Sequence, residues 1–170
     1  MADSYMAITA TIACRVDCDF CPQELLIKEY QLQNNLTNIS YGNPNIMDFS
    51  IFKQCIDKIP NNVQINFGGY SEIFLHPESA RMILYAFDSG HKISVYSTLV
   101  GLELHDIDKI KHIPFVNFHV HLPDSSNYAK IAVNKKYLAV LKKLQESNIK
   151  NLTCMSMGDL HPKVKDILHI

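Results

Sequence analysis

Cys14-Arg-Val-Asp-Cys18-Asp-Phe-Cys21 is the stretch around which the chain is organised, and Pro22 follows it directly. Its three thiols are spaced C-x3-C-x2-C, so a small loop can bring them to one face. Three thiolates suit an iron–sulfur cube and leave one iron without a protein ligand. A structural zinc site would normally use a fourth Cys or His, and the neighbouring sequence supplies none. A zinc loop, a Cys18–Cys21 redox pair and a degenerate remnant stay open as alternatives.

The length and composition indicate an ordinary globular protein. The 170 residues predict one domain, 1–170, with enough chain to bury a core. The net charge of −1 gives no electrostatic reason to expect nucleic acid or an anionic membrane as a partner. No signal-peptide pattern is visible, no apolar run approaches the roughly 18 residues of a membrane helix, and the cysteines do not form a secreted disulfide framework. The sequence therefore predicts a cytoplasmic protein.

Apolar periodicity predicts strands that alternate with helices. The predicted strands are 5–13, 63–67, 93–98, 115–122 and 151–156, and the predicted helices are 24–33, 48–59, 77–90, 103–112, 134–147 and a last segment from 162. Successive βα units of this kind form a parallel sheet. Five strands are too few for an eight-fold barrel of about 250 residues. The fold class is therefore α/β, a partial (βα) barrel of about five βα units with a curved parallel sheet.

Ligands of parallel βα folds gather outside the carboxyl ends of the strands, and polar residues follow several of the predicted strands. The second strand ends in Gly68-Gly69-Tyr70-Ser71-Glu72, where Gly69 allows close backbone approach and Glu72 offers an acceptor for an ammonium group. Tyr96 and Thr98 share one face of the third strand, and His119 and His121 share one face of the fourth. Without the cysteine loop, Gly-Gly after a strand would more often be a turn, and such polar residues would equally well line an open mouth through hydrogen bonds.

Taken together, the cysteine loop (14–22), Phe20 just before its last cysteine and the segment 68–72 resemble a radical S-adenosylmethionine (SAM) enzyme. Within that family the chain resembles a short member, similar to the core domain of SPASM-type peptide-modifying enzymes. The resemblance implies that Cys14, Cys18 and Cys21 hold a [4Fe-4S] cluster. It implies a GGE-like segment that binds the amino group of SAM through Gly69, Tyr70, Ser71 and Glu72, and SAM carboxylate and ribose contacts from Thr98 and His121. The chain departs from the family at Ile73, where Pro is common, and it matches five of the family's six βα units.

The activity that this resemblance implies is reductive cleavage of SAM to a 5′-deoxyadenosyl radical, which takes hydrogen from a substrate. The substrate, a peptide or a small molecule, is not identified by the sequence. An external electron donor, flavodoxin- or ferredoxin-like, is implied, and no catalytic residue is assigned beyond the cluster ligands. The competing hypothesis is a non-catalytic, accessory iron–sulfur or SAM-binding module that acts with a partner subunit. Turnover of SAM discriminates between the two.

The fifth strand, 151–156, is predicted to lie at an edge of the sheet. Its sequence has no Pro, Lys or inward charge that would block pairing with another strand. We therefore expect the segment 162–170 or a second chain to cover it, a homodimer being the simplest form. Cys154, inside this strand, and Cys55, on the second predicted helix, are expected to be buried and inert.

Overall fold

The computed structural model describes residues 4–169. Within that range the elements, in chain order, are β1 (Tyr5–Ile8), β2 (Thr11–Ile12), α1 (Gln23–Asn34), β3 (Asn45–Ile46), α2 (Phe49–Ile56), β4 (Gln64–Phe67), a 3-10 turn (Ile73–Leu75), α3 (Ser79–Asp88), β5 (Ile93–Ser97), α4 (Leu104–Ile110), β6 (Asn117–His121), α5 (Lys135–Glu146), β7 (Leu152–Met155) and α6 (Pro162–Leu168).

The main sheet has five strands in the order β1-β4-β5-β6-β7, and every neighbouring pair is parallel. The prediction of an α/β fold with about five βα units, a partial barrel, is confirmed. Helices follow four of these strands and connect them to the next. All five carboxyl ends therefore meet at one edge, where the loops after β1, β4, β5, β6 and β7 lie side by side.

The two faces of the sheet differ in polarity. Phe67, Val95 and Phe118 lie on one face and are fully buried against the helices, and Phe67 packs on Phe52 of α2 with ring centroids 5.9 Å apart. The alternate residues of the same strands point the other way and differ in burial: Asn66 and His119 are half-buried, and Tyr96 is exposed. We call this second side the inner face. It is the face that a parallel barrel closes around.

The predicted strand 5–13 is divided in two. β1 leaves the main sheet after Ile8, whose carbonyl accepts from Gly68 N at 3.2 Å. The chain then resumes as β2, which pairs antiparallel with β3 through Thr11↔Ile46 and Ile12↔Asn45. This second ladder is too short to leave a periodic signal in the sequence. It places the start of the cysteine loop beside the main sheet rather than at the tip of one of its strands.

The helix predicted from Pro77 begins two residues later, at Ser79. The preceding residues form the 3-10 turn, and the imidazole Nδ1 of His76 accepts from the N–H of Glu78 at 3.0 Å. Pro77 therefore lies in the connection between the two elements. Other predicted helix ends agree with the structure: Asp48 caps α2 through Ser50 N, Asn134 caps α5 through Tyr137 N, and Gly90 takes φ +91° after α3.

Strand β7 is an edge strand, as predicted, and among the described strands it pairs with β6 alone. Helix α6 packs against α5, and the connection before it returns across the end of β6 through a bridge between Asp124 and Leu160. Cys154 is exposed, so the expectation that it is buried was wrong, because nothing within residues 4–169 covers this part of β7. None of the helices between residues 4 and 169 is long and apolar enough to cross a membrane.

Candidate functional site

A cavity of about 270 Å³ lies at the carboxyl ends of the strands, and it brings together the residues that the sequence singled out. Its walls come from the cysteine loop, the segment after β4, and the ends of β5, β6 and β7. The lining residues are Cys14, Val16, Cys18, Phe20, Cys21, Gly69, Tyr70, Ser71, Glu72, Tyr96, Ser97, Thr98, His119, His121 and Met155.

The cysteine loop is fastened to the segment after β6. The thiol of Cys18 donates to the carbonyl of Ala129 at 3.0 Å, and the N–H of Asp19 donates to the carbonyl of Tyr128 at 3.0 Å. Cys14 and Cys18 are buried and Cys21 is half-buried, and all three are free thiols. The loop therefore has a defined position, with two of its sulfurs shielded from solvent.

Burial raises the pKa values of the three thiols. The pKa of Cys14 rises to about 11, chiefly by burial, and that of Cys18 to about 12, by burial and then by the nearby Cys14 and Cys21. The pKa of Cys21 is also raised, again first by burial. In the absence of a cation the thiols are therefore neutral at pH 7, and binding a metal centre must displace their protons.

The donor chemistry of the loop fits an iron–sulfur centre, because three thiols line one cavity and such clusters are held by thiolates. The sulfurs are not preassembled: between residues 4 and 169 no three His, Cys, Asp or Glu side chains form a group that could hold a metal ion. One contact explains part of this, because the thiol of Cys18 is turned to the carbonyl of Ala129. Loading a cluster would require that hydrogen bond to break.

The segment 68–72 is joined to the cysteine loop by hydrogen bonds from both sides. The hydroxyl of Ser71 donates to the carbonyl of Ala13 at 3.0 Å and is also hydrogen-bonded to the hydroxyl of Thr11. The amide of Gln23 donates to the carbonyl of Tyr70. Gly69 has φ +99°, and a Cβ there would lie 2.5 Å from the hydroxyl oxygen of Thr9, so only glycine fits. The cysteine loop and the segment 68–72 are therefore hydrogen-bonded into one continuous wall of the cavity.

Glu72 is buried, with 2% of its surface exposed, and its carboxylate is occupied by the chain's own donors. Its Oε1 accepts from the Ser97 hydroxyl at 2.9 Å and from the Phe74 N–H at 3.1 Å. Its Oε2 accepts from the N–H of Thr98 at 2.6 Å and from the Thr98 hydroxyl at 2.7 Å. Burial raises the pKa of Glu72, while these donors act in the opposite direction. Its predicted contact with SAM stays a prediction.

His121 lies across the cavity from this network and stacks on Phe20, the aromatic residue of the cysteine loop. The two rings are 5.0 Å apart at an interplanar angle of 16°. Burial lowers the pKa of His121, with a further contribution from His119. Its Nε2 is buried and has no hydrogen-bond partner in the part of the chain that the structure describes. A neutral imidazole with a free polar atom therefore lines the cavity beside the cysteines.

Sequence reasoning missed two residues that organise the site. Ser97 lies on the helix-facing side of β5, and its hydroxyl donates a hydrogen bond to Oε1 of Glu72. Asp124 is buried, and its carboxylate accepts from the N–H groups of Tyr128 and Ala129, both at 2.9 Å, which shapes the segment that holds the cysteine loop. The run Pro123-Asp124-Ser125 signals a turn, but nothing in it shows that the turn supports Cys18.

Comparison with known proteins gives a likeness of fold. No protein-family model matches the chain, and no curated protein matches it. Among solved structures, one match is the crystal structure of BtrN in complex with AdoMet and 2-DOIA, with a TM-score of 0.64 and 13% sequence identity. The match covers 92% of this chain and 58% of the BtrN chain. At this sequence identity the match shows a similar fold, which the BtrN chain adopts in a complex with AdoMet.

Proposed function

We propose that this chain is a radical SAM enzyme, in which Cys14, Cys18 and Cys21 hold a [4Fe-4S] cluster and SAM binds in the adjoining cavity. The observation that carries the proposal is that the three thiols line one cavity together with Gly69–Glu72, Thr98 and His121. These residues come from four separate parts of the sequence. Their meeting at the carboxyl edge of a parallel sheet is what a ligand site of this fold requires.

The radical-SAM-like fold supports the same proposal at a coarser level. BtrN was solved with AdoMet bound, and this chain spans 58% of its length. The finer likeness to SPASM-type peptide-modifying enzymes rests on the sequence of the cysteine loop and the segment 68–72. It makes peptides one of the two substrate classes to be tested, small molecules being the other.

The chain's own residues would position the ligands and shield them. Cys14, Cys18 and Cys21 would lose their protons and hold the cluster by sulfur. The backbone at Gly69 and Tyr70 lines the cavity, and at Gly69 it has a conformation that only glycine fits, which would leave backbone groups for the amino acid part of SAM. Nε2 of His121 is unpartnered among the described residues but buried, so a hydrogen bond from it to a polar group of SAM would require this atom to become exposed. A [4Fe-4S] cluster held there would supply the one electron needed for reductive cleavage of SAM to methionine and a 5′-deoxyadenosyl radical.

The rim of the cavity would limit the access of water. Phe20, Tyr70, Tyr96 and Met155 line the cavity and are each between 41% and 55% exposed. Large apolar groups around a polar floor favour a site that closes when substrate or a partner covers it. A flavodoxin- or ferredoxin-like donor would have to approach near Cys21, the least buried of the three thiols.

The test is anaerobic reconstitution with iron and sulfide, followed by SAM and dithionite. We expect 5′-deoxyadenosine and methionine to form in equal amounts. A Cys14→Ala variant prepared in the same way should form neither product. Reconstituted protein that binds SAM without cleaving it would contradict the proposal.

One observation favours the second candidate, an accessory iron–sulfur or SAM-binding module that acts with a partner subunit. The carboxylate of Glu72 already accepts four hydrogen bonds from Phe74, Ser97 and Thr98. A carboxylate has about four acceptor sites, so an ammonium group would have to displace one of these donors. SAM binding without turnover would support this candidate.

A further inference from the structure

The inner face of the sheet carries polar side chains where a closed barrel would be packed with Val, Ile and Leu. The inner-facing positions of β4 to β7 include no Asp, Glu, Lys or Arg, and most are amides, hydroxyls or imidazoles. Backbone register places them side by side on neighbouring strands. One row of neighbours consists of Asn66, Ser94 and Asn117. A second row, nearer the cavity, consists of Tyr96, His119 and Thr153.

A chain of hydrogen bonds across this face fixes the protonation of His119. The hydroxyl of Thr153 donates to Oδ1 of Asn117 at 2.9 Å. The same hydroxyl oxygen lies 2.8 Å from Nδ1 of His119. A hydroxyl has one hydrogen to give, so Nδ1 of His119 must be the donor in the second bond. In neutral His119 the proton is therefore on Nδ1, and Nε2 is a hydrogen-bond acceptor.

The acceptor on His119 is available to a ligand. Its ring lines the same cavity as the three cysteines, and within residues 4–169 its Nε2 has no hydrogen-bond partner. Tyr96 lines the cavity next to it, with ring centroids 6.0 Å apart, and 41% of Tyr96 is exposed. An aromatic surface beside an acceptor suits a molecule that has C–H groups on one side and a hydroxyl at its edge.

We propose that the inner face binds an uncharged, hydroxyl-bearing small molecule, with Nε2 of His119 accepting a hydrogen bond from one of its hydroxyl groups. The proposal rests on the proposed function, since it makes this molecule the substrate next to SAM. The imidazole of His119 contacts the molecule directly. Thr153 and Asn117 act on the molecule only through His119, because their hydrogen bonds hold its proton on Nδ1.

The charge of the face argues against an ionic ligand. A carboxylate or ammonium held over these side chains would lose water without gaining a partner of opposite charge, which is costly.

The layout of the polar groups argues for a compact molecule. Neighbouring strands are about 4.8 Å apart, and successive residues on one face are about 6.7 Å apart. The polar groups therefore form a two-dimensional array, which fits a ring with several hydroxyls better than an extended peptide, whose recognition commonly uses a strand edge.

The tautomer can be measured directly by ¹⁵N NMR of the imidazole in the full-length, cluster-free protein. We expect His119 to be protonated on Nδ1, unchanged in Thr153→Ser and lost in Thr153→Val, which removes the hydroxyl at nearly the same volume. A proton on Nε2 in the wild-type protein would overturn the proposal. Because the experiment needs neither cluster nor SAM turnover, its result is independent of whether the chain is a radical enzyme.

Binding is tested in the same sample with three probes: myo-inositol as a neutral ring polyol, glucuronate as a charged ring of similar size, and N-acetyl-triglycine methylamide as a neutral peptide. We expect myo-inositol to shift the His119 and Thr153 resonances at millimolar concentration. His119→Phe should weaken that binding about fivefold to tenfold, the scale of one hydrogen bond. Preference for glucuronate or the peptide, no shift with any probe, or binding of myo-inositol by His119→Phe and Thr153→Val as tight as by the wild type would each overturn the proposal.

Discussion

Thr98 is bonded to Glu72 twice, since Oε2 of Glu72 accepts from the backbone N–H of Thr98 at 2.6 Å and from its hydroxyl at 2.7 Å. The two residues are 26 positions apart in the sequence and belong to loops that follow neighbouring strands. The pair therefore joins the end of β4 to the end of β5 on the floor of the cavity. Glu72 either contacts SAM directly or holds Thr98 in position to do so. Mutation separates these two roles.

Glu72→Gln should weaken SAM binding to the reconstituted protein. The amide can accept at only one of its two heteroatoms, so at least one bond from a backbone N–H, that of Thr98 or that of Phe74, is lost. The expected loss is about 1–3 kcal/mol, the scale of a hydrogen bond to a charged group. Affinity is measured by equilibrium binding of SAM. Thr98→Val and Thr98→Ser are the matched pair: if Glu72 acts through Thr98, only the valine variant resembles Glu72→Gln. Unchanged affinity in Glu72→Gln would remove this residue from the site.

The pH dependence of stability should show that Glu72 is buried. Burial raises the pKa of Glu72 above its ordinary value of 4.5. The folded state then binds the proton more tightly than the unfolded state, so the stabilising contribution is complete below that ordinary value and is lost as pH rises through the folded pKa. The free energy of unfolding of the wild type, minus that of Glu72→Gln, should therefore fall as pH rises from the ordinary glutamate value towards neutrality. Urea unfolding across this pH range measures the difference. A difference that grows with pH would show that the Thr98 and Ser97 donors lower the pKa of Glu72 by more than burial raises it.

Iron and sulfide content should depend on three of the five cysteines. Replacing Cys14, Cys18 or Cys21 by Ala should abolish incorporation, which in the wild type should approach about four irons per chain. Cys55→Ala is the matched control, because Cys55 lies on α2, away from the cavity lining. Iron and acid-labile sulfide are assayed after anaerobic reconstitution. Tight zinc binding without iron uptake would instead support a zinc loop.

The order of the elements could be predicted because alternation and helical spacing are local signals. Phe118 and Val120 alternate with His119 and His121 in the sequence, and the structure repeats this alternation as buried and half-buried. The pairing of β2 with β3 could not be predicted, since a ladder of two residues on each side has no period. The start of α3 was misplaced because Pro77 is typical of a first helical turn, while here it lies in the connection after the 3-10 turn.

The members of the site were more predictable than their contacts. The cysteine spacing and the segment 68–72 indicate a shared cavity, and the structure has one. The burial of Glu72 could not be predicted, because it depends on Ser97 and Thr98, whose position relative to Glu72 is set by the β4–β5 pairing. For the same reason the tautomer of His119 becomes evident only when β7 places Thr153 beside it.

Asp124→Asn should loosen the support of the cysteine loop, and more so at neutral than at acid pH. Burial opposes the ionisation of Asp124, but the N–H groups of Ala129 and Tyr128 lower its pKa. A lowered folded pKa gives a contribution that is present above the ordinary aspartate value and is lost as pH falls through the folded pKa. The stability difference between wild type and Asp124→Asn should therefore shrink on acidification, opposite to Glu72→Gln.

The same variant should load iron more readily, because the segment that Asp124 shapes carries the Ala129 carbonyl that holds the Cys18 thiol, and this bond must break when a cluster is loaded. Urea unfolding at several pH values and the rate of iron uptake are the two measurements. Asp108→Asn is the control, since Asp108 is an exposed partner of Lys111 and Lys143 on the outer surface. Equal behaviour of the two variants would show that Asp124 does not support the loop.

The open edge of β7 should pair with a second copy of the chain. Asn151 and Met155 accept hydrogen bonds from β6. Because strand backbones alternate in direction, the N–H and C=O groups of Leu152 and Cys154 point away from the sheet. Light scattering should therefore report a dimer, with slow hydrogen exchange at residues 152 and 154.

Cys154→Lys places a charge on the edge, a common protection against pairing, and should give a monomer whose amides there exchange freely. Cys154→Ser, measured in reductant, keeps the edge neutral and should stay dimeric, which separates strand pairing from an intermolecular disulfide. A wild-type monomer with fast exchange at both residues would show that no second copy covers the edge.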